Sequence, residues 1–338
     1  RRDAATGEAR ASAVELDPRR TGIVVVDMWN WHWCKTATAR VAALVPRMSR
    51  VVEEARRLGM TVFWCPSDVA DNYVGTPAYE RAFAAERVAL PELKPLECPP
   101  AADGGGCTCG GERCVGNYGW DGMHPGLRID EADLMPNDLE TLYALARRRG
   151  LTRLIYMGVH TQVCLLGKSI GLRNLTRAGF DCVLARDLTD AHARYDPDGG
   201  VTPDGFTAEV VAHFERYLSP TLDFGETLRR AGRWGAGHET EGVRFAPWGT
   251  VERPHFFEGS VRLTLALPNV PGAEVRFTRD GSEPGPGSEV ASGLVRLESS
   301  ARVRAAGFVE GRRVTPVSEA VVERLAPRPP PQTAFWAP

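Results

Sequence analysis

Apolar residues recur along this chain in two rhythms, and the rhythm changes about two-thirds of the way through. TGIVVVDMW (21–29) is an unbroken apolar run rich in β-branched residues and interrupted at Asp27. Such a run suits a strand buried on both faces of a parallel sheet. ARVAALVPRMSRVVEEARRLG (39–59) carries its apolar positions at helical spacing and stops at Gly59. MTVFWCPSD (60–68) reads as a second strand, and residues 70–128 as an irregular stretch rich in Gly, Pro and Cys. A helix follows over 135–150, capped by Asn137 or Asp138 and ended by Gly150. LTRLIYMGV (151–159) is a strand, CLLGKSIGLRNLTRAG (164–179) a helix, FDCVLARDLTDA (180–191) a strand with its turn, and AEVVAHFERYL (208–218) a closing helix. Alternation of this kind predicts an α/β domain within residues 1–222, with a mostly parallel, doubly wound sheet and helices on both faces.

Beyond Phe224 the helical period is lost. Residues 223–252 are Gly-rich and read as a linker. Residues 253–325 carry short alternating runs, SVRLTLAL, AEVRFTRDG, GLVRLES, ARVRAAGFV and SEAVVERL, with turn signals between them. That is the pattern of a small all-β sandwich. Residues 326–338 form a proline-rich tail ending in Phe335 and Trp336.

Composition narrows the partners. A net charge of −2 argues against a nucleic-acid binder. No apolar run approaches the ~18 residues of a membrane span. No cofactor is expected, and no metal ligand is singled out at the candidate site. Four of the eight cysteines, Cys98, Cys107, Cys109 and Cys114, crowd one loop-like stretch. Disulfides would staple such a loop in an oxidising compartment and a metal in a reducing one; the spacing lacks paired C-x2-C units, and disulfides are the expectation. A chain opening on Arg1 also suits a processed leader. Together these features predict a secreted or periplasmic, extracellular bacterial protein.

In parallel sheets, sites gather at the carboxyl ends of strands. Asp27 ends one strand and GVHTQVC (158–164) ends another, so both point to one sheet edge. A cysteine opening a helix has its thiolate favoured by the helix dipole, a carboxylate nearby can take its proton, and backbone N–H groups of the turn can hold an oxyanion. On topology alone Cys164 is equally a small core residue.

VVVDMW and GVHTQVCL resemble the first strand and the G-x-x-T-x-x-C nucleophile turn of the isochorismatase-like cysteine hydrolases, with Gly158, Thr161 and Cys164 in register. The resemblance spans about 200 residues, with gaps in the middle. It implies Cys164 as nucleophile, Asp27 as base, a cis Val159–His160 bond, and an oxyanion hole made by the N–H groups of His160 and Cys164. It also implies a lysine on the strand before the penultimate helix. GMHPGLRIDEADLMPND (122–138) has none; the chain has only Lys35, Lys94 and Lys168, and Arg128 is the nearest cation in that region. Trp29, Trp31, His32 and Trp33, directly after Asp27, are candidate pocket residues or packed loop aromatics. Asp187 and Asp190 are expected to cap a turn. In the C-terminal module, Thr278, Asp280, Gly281, Ser282 and Pro284 resemble the T-x-D-G-S-x-P turn of the chitobiase C-terminal sandwich.

Two functions follow. One is a hydrolase that splits a small amide or ester, its small-molecule substrate, through a Cys164 thioester. The other is a catalytically weakened hydrolase fold serving as a structural subunit of an extracellular homo-oligomer or of a filament built through the tail.

Overall fold

The structure, a computed structural model, describes residues 1–111, 114, 119–234 and 241–326. The tail with Phe335 and Trp336 lies outside the described residues. In the first part, strands β1 (Thr21–Val26), β2 (Thr61–Cys65), β3 (Arg153–Val159), β4 (Asp181–Asp190) and β5 (Thr221–Leu222) form one sheet in the order β2-β1-β3-β4-β5. Every pairing in it is parallel. Residues alternate across it. Val24 and Val26 join one apolar cluster, whereas Ile23 and Val25 join the other. Helix α1 (Lys35–Arg57) covers the second face. Helix α2 (Pro77–Phe83) contributes to both clusters. Helices α3 (Leu139–Arg148), α4 (Leu172–Arg177) and α5 (Pro203–Tyr217) cover the first face, and α6 (Phe224–Arg230) joins α1 on the second.

Helix α1 buries Val41, Leu44, Val45, Met48, Val51, Val52 and Ala55, a stripe at three- and four-residue spacing. Full burial of a Val, Leu or Met contributes about 1.5–3 kcal/mol. Its two buried arginines are paired, as buried charges must be. Arg40 meets Asp190 at 2.6 Å and Asp204 at 3.0 Å, and Arg47 meets Asp187 at 2.9 Å. Asp187 and Asp190 therefore lie within β4 and tie it to α1. Asp187 also accepts from the N–H groups of Phe224 and Gly225 at the start of α6.

Residues 223–252, read from sequence as a linker, contain α6 and a strand, β6 (Arg244–Ala246). The expected single helix over 164–179 is broken. Thr161–Leu165 makes a one-turn π-helix, and α4 starts only after Gly171. Tyr156 donates to the Ile170 carbonyl at 2.8 Å and holds the intervening loop.

The second part is β-rich. It comprises β6, β7 (His255–Phe257), β8 (Val261–Ala266), β9 (Glu274–Thr278), β10 (Glu289–Val290), β11 (Leu294–Leu297), β12 (Ala301–Val309), β13 (Arg312–Arg313) and β14 (Ser318–Arg324). One sheet runs β10-β9-β12-β14-β7, with β13 beside β12, and the other runs β11-β8-β6. Apart from the parallel pair β14–β7, the pairings are antiparallel. Phe245, Leu263 and Val295 of the small sheet share one buried cluster with Phe277, Val303 and Val322 of the large one. This part docks on the first at several points. Lys35 Nζ donates to the Pro254 carbonyl at 2.7 Å, Trp248 N–H to Thr36 Oγ1 at 3.0 Å, and Tyr195 OH to the Arg262 carbonyl at 2.6 Å. No helix among the described residues is long and apolar enough to cross a membrane.

Candidate active site

The strand order reverses between β1 and β3, where the chain leaves β1 for β2 on one side and later returns to β3 on the other. Crevices of this kind open at the carboxyl ends of the strands. Gly158 makes the approach possible. It faces Val26 in the β1–β3 register with φ +116°, and a Cβ there would lie 1.9 Å from the Val26 carbonyl oxygen. Any side chain would push β3 away from β1. Thr161 braces the turn that follows, since its Oγ1 lies 2.7 Å from Thr189 Oγ1, which donates to the Gly158 carbonyl at 2.8 Å. The Val159–His160 peptide bond is cis, at the position the resemblance designates.

These features set Cys164 against Asp27. The two side chains are neighbours, each shifting the other's ionisation, and Asp27 Oδ1 is buried without a hydrogen-bond partner. Asp27 is fully buried, with φ 47°, a left-handed conformation that Asp tolerates better than most residues. Burial pushes its carboxyl up to about 6, against the opposing pull of Lys168, Cys164 and Ser67. Ser67, itself at φ 46°, donates to Asp27 Oδ2 at 2.9 Å. Cys164 does not behave as its place after a strand suggested. Burial and the Asp27 charge push its thiol up, outweighing the Lys168 charge and the His160 backbone N–H at the sulfur. A single π turn carries little dipole against those terms. The group rests as a thiol with its acceptor already beside it.

The cation at the site is Lys168, and Arg128 is elsewhere. Arg128 has a largely exposed side chain paired with Asp130 at 3.3 Å. Lys168 Nζ lies 3.8 Å from Asp27 Oδ2 and 3.0 Å from Asp68 Oδ2. Burial lowers the ammonium pKa, but Asp27 and Asp68 outweigh it and the net shift is upward, so Lys168 stays charged. Ser67, Asp68 and Lys168 were not singled out from sequence. One signal was available for Lys168: it stands four residues after Cys164, the spacing that brings two side chains to one face of a helical turn.

Beside this trio lies a box of rings. Trp29 stacks on His32 at 4.6 Å and on Trp120 at 4.9 Å, and meets His160 edge-on at 4.8 Å. His192 lies 4.8 Å from His160 and 5.1 Å from Trp33. Trp31 departs from the box and lies under Arg253 of the β-rich part at 5.5 Å. His160 Nδ1 lies 3.3 Å from the Asp190 carbonyl. Burial and the neighbouring His192 and His32 hold its pKa well below the ordinary value, so the ring is neutral. Among the described residues, His160 Nε2 and the Trp29 indole N–H are buried without a hydrogen-bond partner. A cavity of about 490 Å³ opens nearby, lined by Trp33, Gly105, Gly106, Gln162, Val163 and His192.

The expected disulfide loop is not formed. All eight cysteines are free. Cys98 stands apart, with its sulfur 3.5 Å from His213 Nε2. Cys107, Cys109 and Cys114 instead gather with Cys34.

No family model matches the chain. It is similar to the ureidoacrylate amidohydrolase RutB of Caulobacter segnis, 24% identical over 182 residues, which is 46% of this chain and 68% of that protein. Among solved structures it is similar to a cysteine hydrolase from Pseudomonas syringae pv. phaseolicola, at 16% identity and a TM-score of 0.42, covering 64% of this chain and 94% of that one. It is also similar to an isochorismatase from Pseudomonas putida KT2440, at 11% identity and a TM-score of 0.39, covering 64% and 93%.

Proposed function

We propose that the first part is a cysteine hydrolase of the isochorismatase-like type, acting on a small amide. The observation that carries this reading is that Lys168 lies 3.8 Å from the buried Asp27 carboxylate, with the buried Cys164 thiol beside it. Asp27, ionised above about pH 6, takes the thiol proton as the sulfur attacks the substrate carbonyl carbon. The N–H groups of His160 and Cys164 hold the resulting oxyanion. Collapse breaks the C–N bond, and the amine leaves with the proton from Asp27. Water, deprotonated by Asp27, then attacks the thioester carbonyl; the C–S bond breaks, the Cys164 thiolate retakes the proton from Asp27, and the acid departs. Lys168 keeps Asp27 ionised and oriented, the role the resemblance gives to a lysine from another segment.

The unpartnered Trp29 N–H and His160 Nε2 suit a substrate that both accepts and donates, as a carboxamide or ureido group does. The likeness to an amidohydrolase named for ureidoacrylate supports the same class. The β-rich part, whose two sheets share one core, is read as the chitobiase-type sandwich, a spacer beside the enzyme. The weakened-hydrolase alternative drew its weight from a missing lysine, the added β-rich part and the tail; Lys168 beside Asp27 weighs against the first of these and leaves the other two untouched.

The test is a thioester trap. Incubation with p-nitrophenyl acetate, followed by intact-mass and peptide analysis, should give one acetyl group on Cys164. A panel of small amides and ureido acids should then yield turnover that vanishes in Cys164→Ala. Acylation spread over other cysteines, with Cys164 unmodified, would reject the reading.

A further inference from the structure

Cys34, Cys107, Cys109 and Cys114 bring four sulfurs together, all within 4.8 Å of one another. The Cys34–Cys107 sulfurs are 3.3 Å apart, Cys107–Cys114 3.4 Å, Cys109–Cys114 3.5 Å and Cys34–Cys109 3.9 Å. A disulfide needs about 2.05 Å. Four thiolates around one Zn²⁺ at about 2.3 Å stand on the corners of a tetrahedron whose edge is about 3.8 Å. The observed spacing matches that edge and not the covalent bond.

The surroundings fit an anionic sulfur cluster. Cys34 is the N-cap of α1, a helix of 23 residues, and its sulfur accepts from the Ala37 N–H at 3.5 Å. The Thr36 hydroxyl lies 2.9 Å from Cys109 Sγ, and the Lys35 backbone N–H is directed at Cys114. Donors from the first turn of α1 thus serve three of the four sulfurs. Cys107 and Cys109 are held in a tight knuckle, in which Gly110 N–H donates to the Cys107 carbonyl at 2.8 Å and Cys107 N–H to the Gly111 carbonyl at 2.7 Å.

We propose that Cys34, Cys107, Cys109 and Cys114 form a structural site for one tetrahedral, thiolate-preferring divalent metal, Zn²⁺. The donor set excludes Mg²⁺ and Ca²⁺, which take oxygen ligands. Binding releases the four thiol protons to solvent. The ion ties Cys107, Cys109 and Cys114 to the start of α1. It thereby fixes Gly105 and Gly106, which wall the cavity beside Gln162 and Val163. The site is independent of the hydrolase reading.

Metal analysis of the full chain, purified without chelators, should find one zinc per chain. The unreduced protein, denatured in chelator, should carry eight alkylatable thiols. Replacing the ion with Co²⁺ should give the visible bands of a tetrahedral thiolate site. Cys98→Ser should keep those bands, and Cys34→Ser or Cys109→Ser should lower metal content from one per chain toward zero. A metal-free chain whose mass shows two disulfides among these four residues would overturn the proposal, as would Co²⁺ bands that are absent in the wild type. Both of those readouts stand even where a ligand variant fails to fold.

Discussion

Two cysteine environments lie within this one domain, and they differ in what faces the sulfur. At Cys164 a single thiol meets a buried carboxylate with an ammonium behind it. At Cys34, Cys107, Cys109 and Cys114, sulfur meets sulfur, ringed by N–H and hydroxyl donors. The first arrangement stores a proton acceptor beside a thiol. The second offers four sulfur ligands facing one another, which suits a cation. Reactivity is therefore set by neighbours, because burial alone raises the pKa of any thiol.

Removing the nucleophile should separate the two most sharply. Cys164→Ala should lower hydrolysis at least about 10³-fold, with zinc content and melting temperature nearly unchanged. Metal loss in that variant would show that the two environments are coupled.

Cys34→Ser attacks the other side. Losing a structural metal belongs with the largest single-residue effects, roughly 4 kcal/mol or more, which lowers the melting temperature by roughly 8–16 °C in a domain of this size. Differential scanning fluorimetry with and without added Zn²⁺ checks it. The wild type should respond to chelation and the variant should not.

Lys168→Met should reduce kcat/KM by about 10–100-fold and move the acid limb of its pH profile upward from about 6, since Lys168 lowers the Asp27 pKa. An acid limb unmoved by the substitution would deny Lys168 its role. The same shift has a stability counterpart. Asp27 is raised from 3.8 to about 6 in the folded state, so its burial costs stability that appears as pH rises through that window. Asp27→Asn should be inactive yet more stable at pH 8, by at most about 3 kcal/mol, with no gain below about pH 4. Denaturant titrations at the two pH values decide it.

Ser67→Ala is the mildest change. Removing one hydrogen bond to Asp27 should raise the acid limb by about half a unit and cost only a few-fold in rate. A larger loss would make Ser67 a positioning residue comparable to Lys168.

By itself the sequence determined the alternation of strands and helices, the change to period two after Phe224, and the pair Asp27 and Cys164 on one sheet edge. Those follow from local chemistry, because apolar period and β-branched runs specify elements, and parallel strands end on the same side. Gly158 was legible too, as a position of the motif, though its close approach to Val26 was not. Tertiary structure decided the rest. Ser67 and Lys168 reach Asp27 from two separate segments, with Asp68 pairing Lys168, and no spacing rule relates them to a residue 40 to 141 positions away. The cysteine loop was grouped by proximity in sequence, which put Cys98 in and left Cys34 out. Folding reversed that, because the knuckle docks on the first turn of α1, where Cys34 stands 73 residues before Cys107. Chain distance says little about which groups meet once a sheet and its covering helix have brought loops from both ends of the domain to one edge.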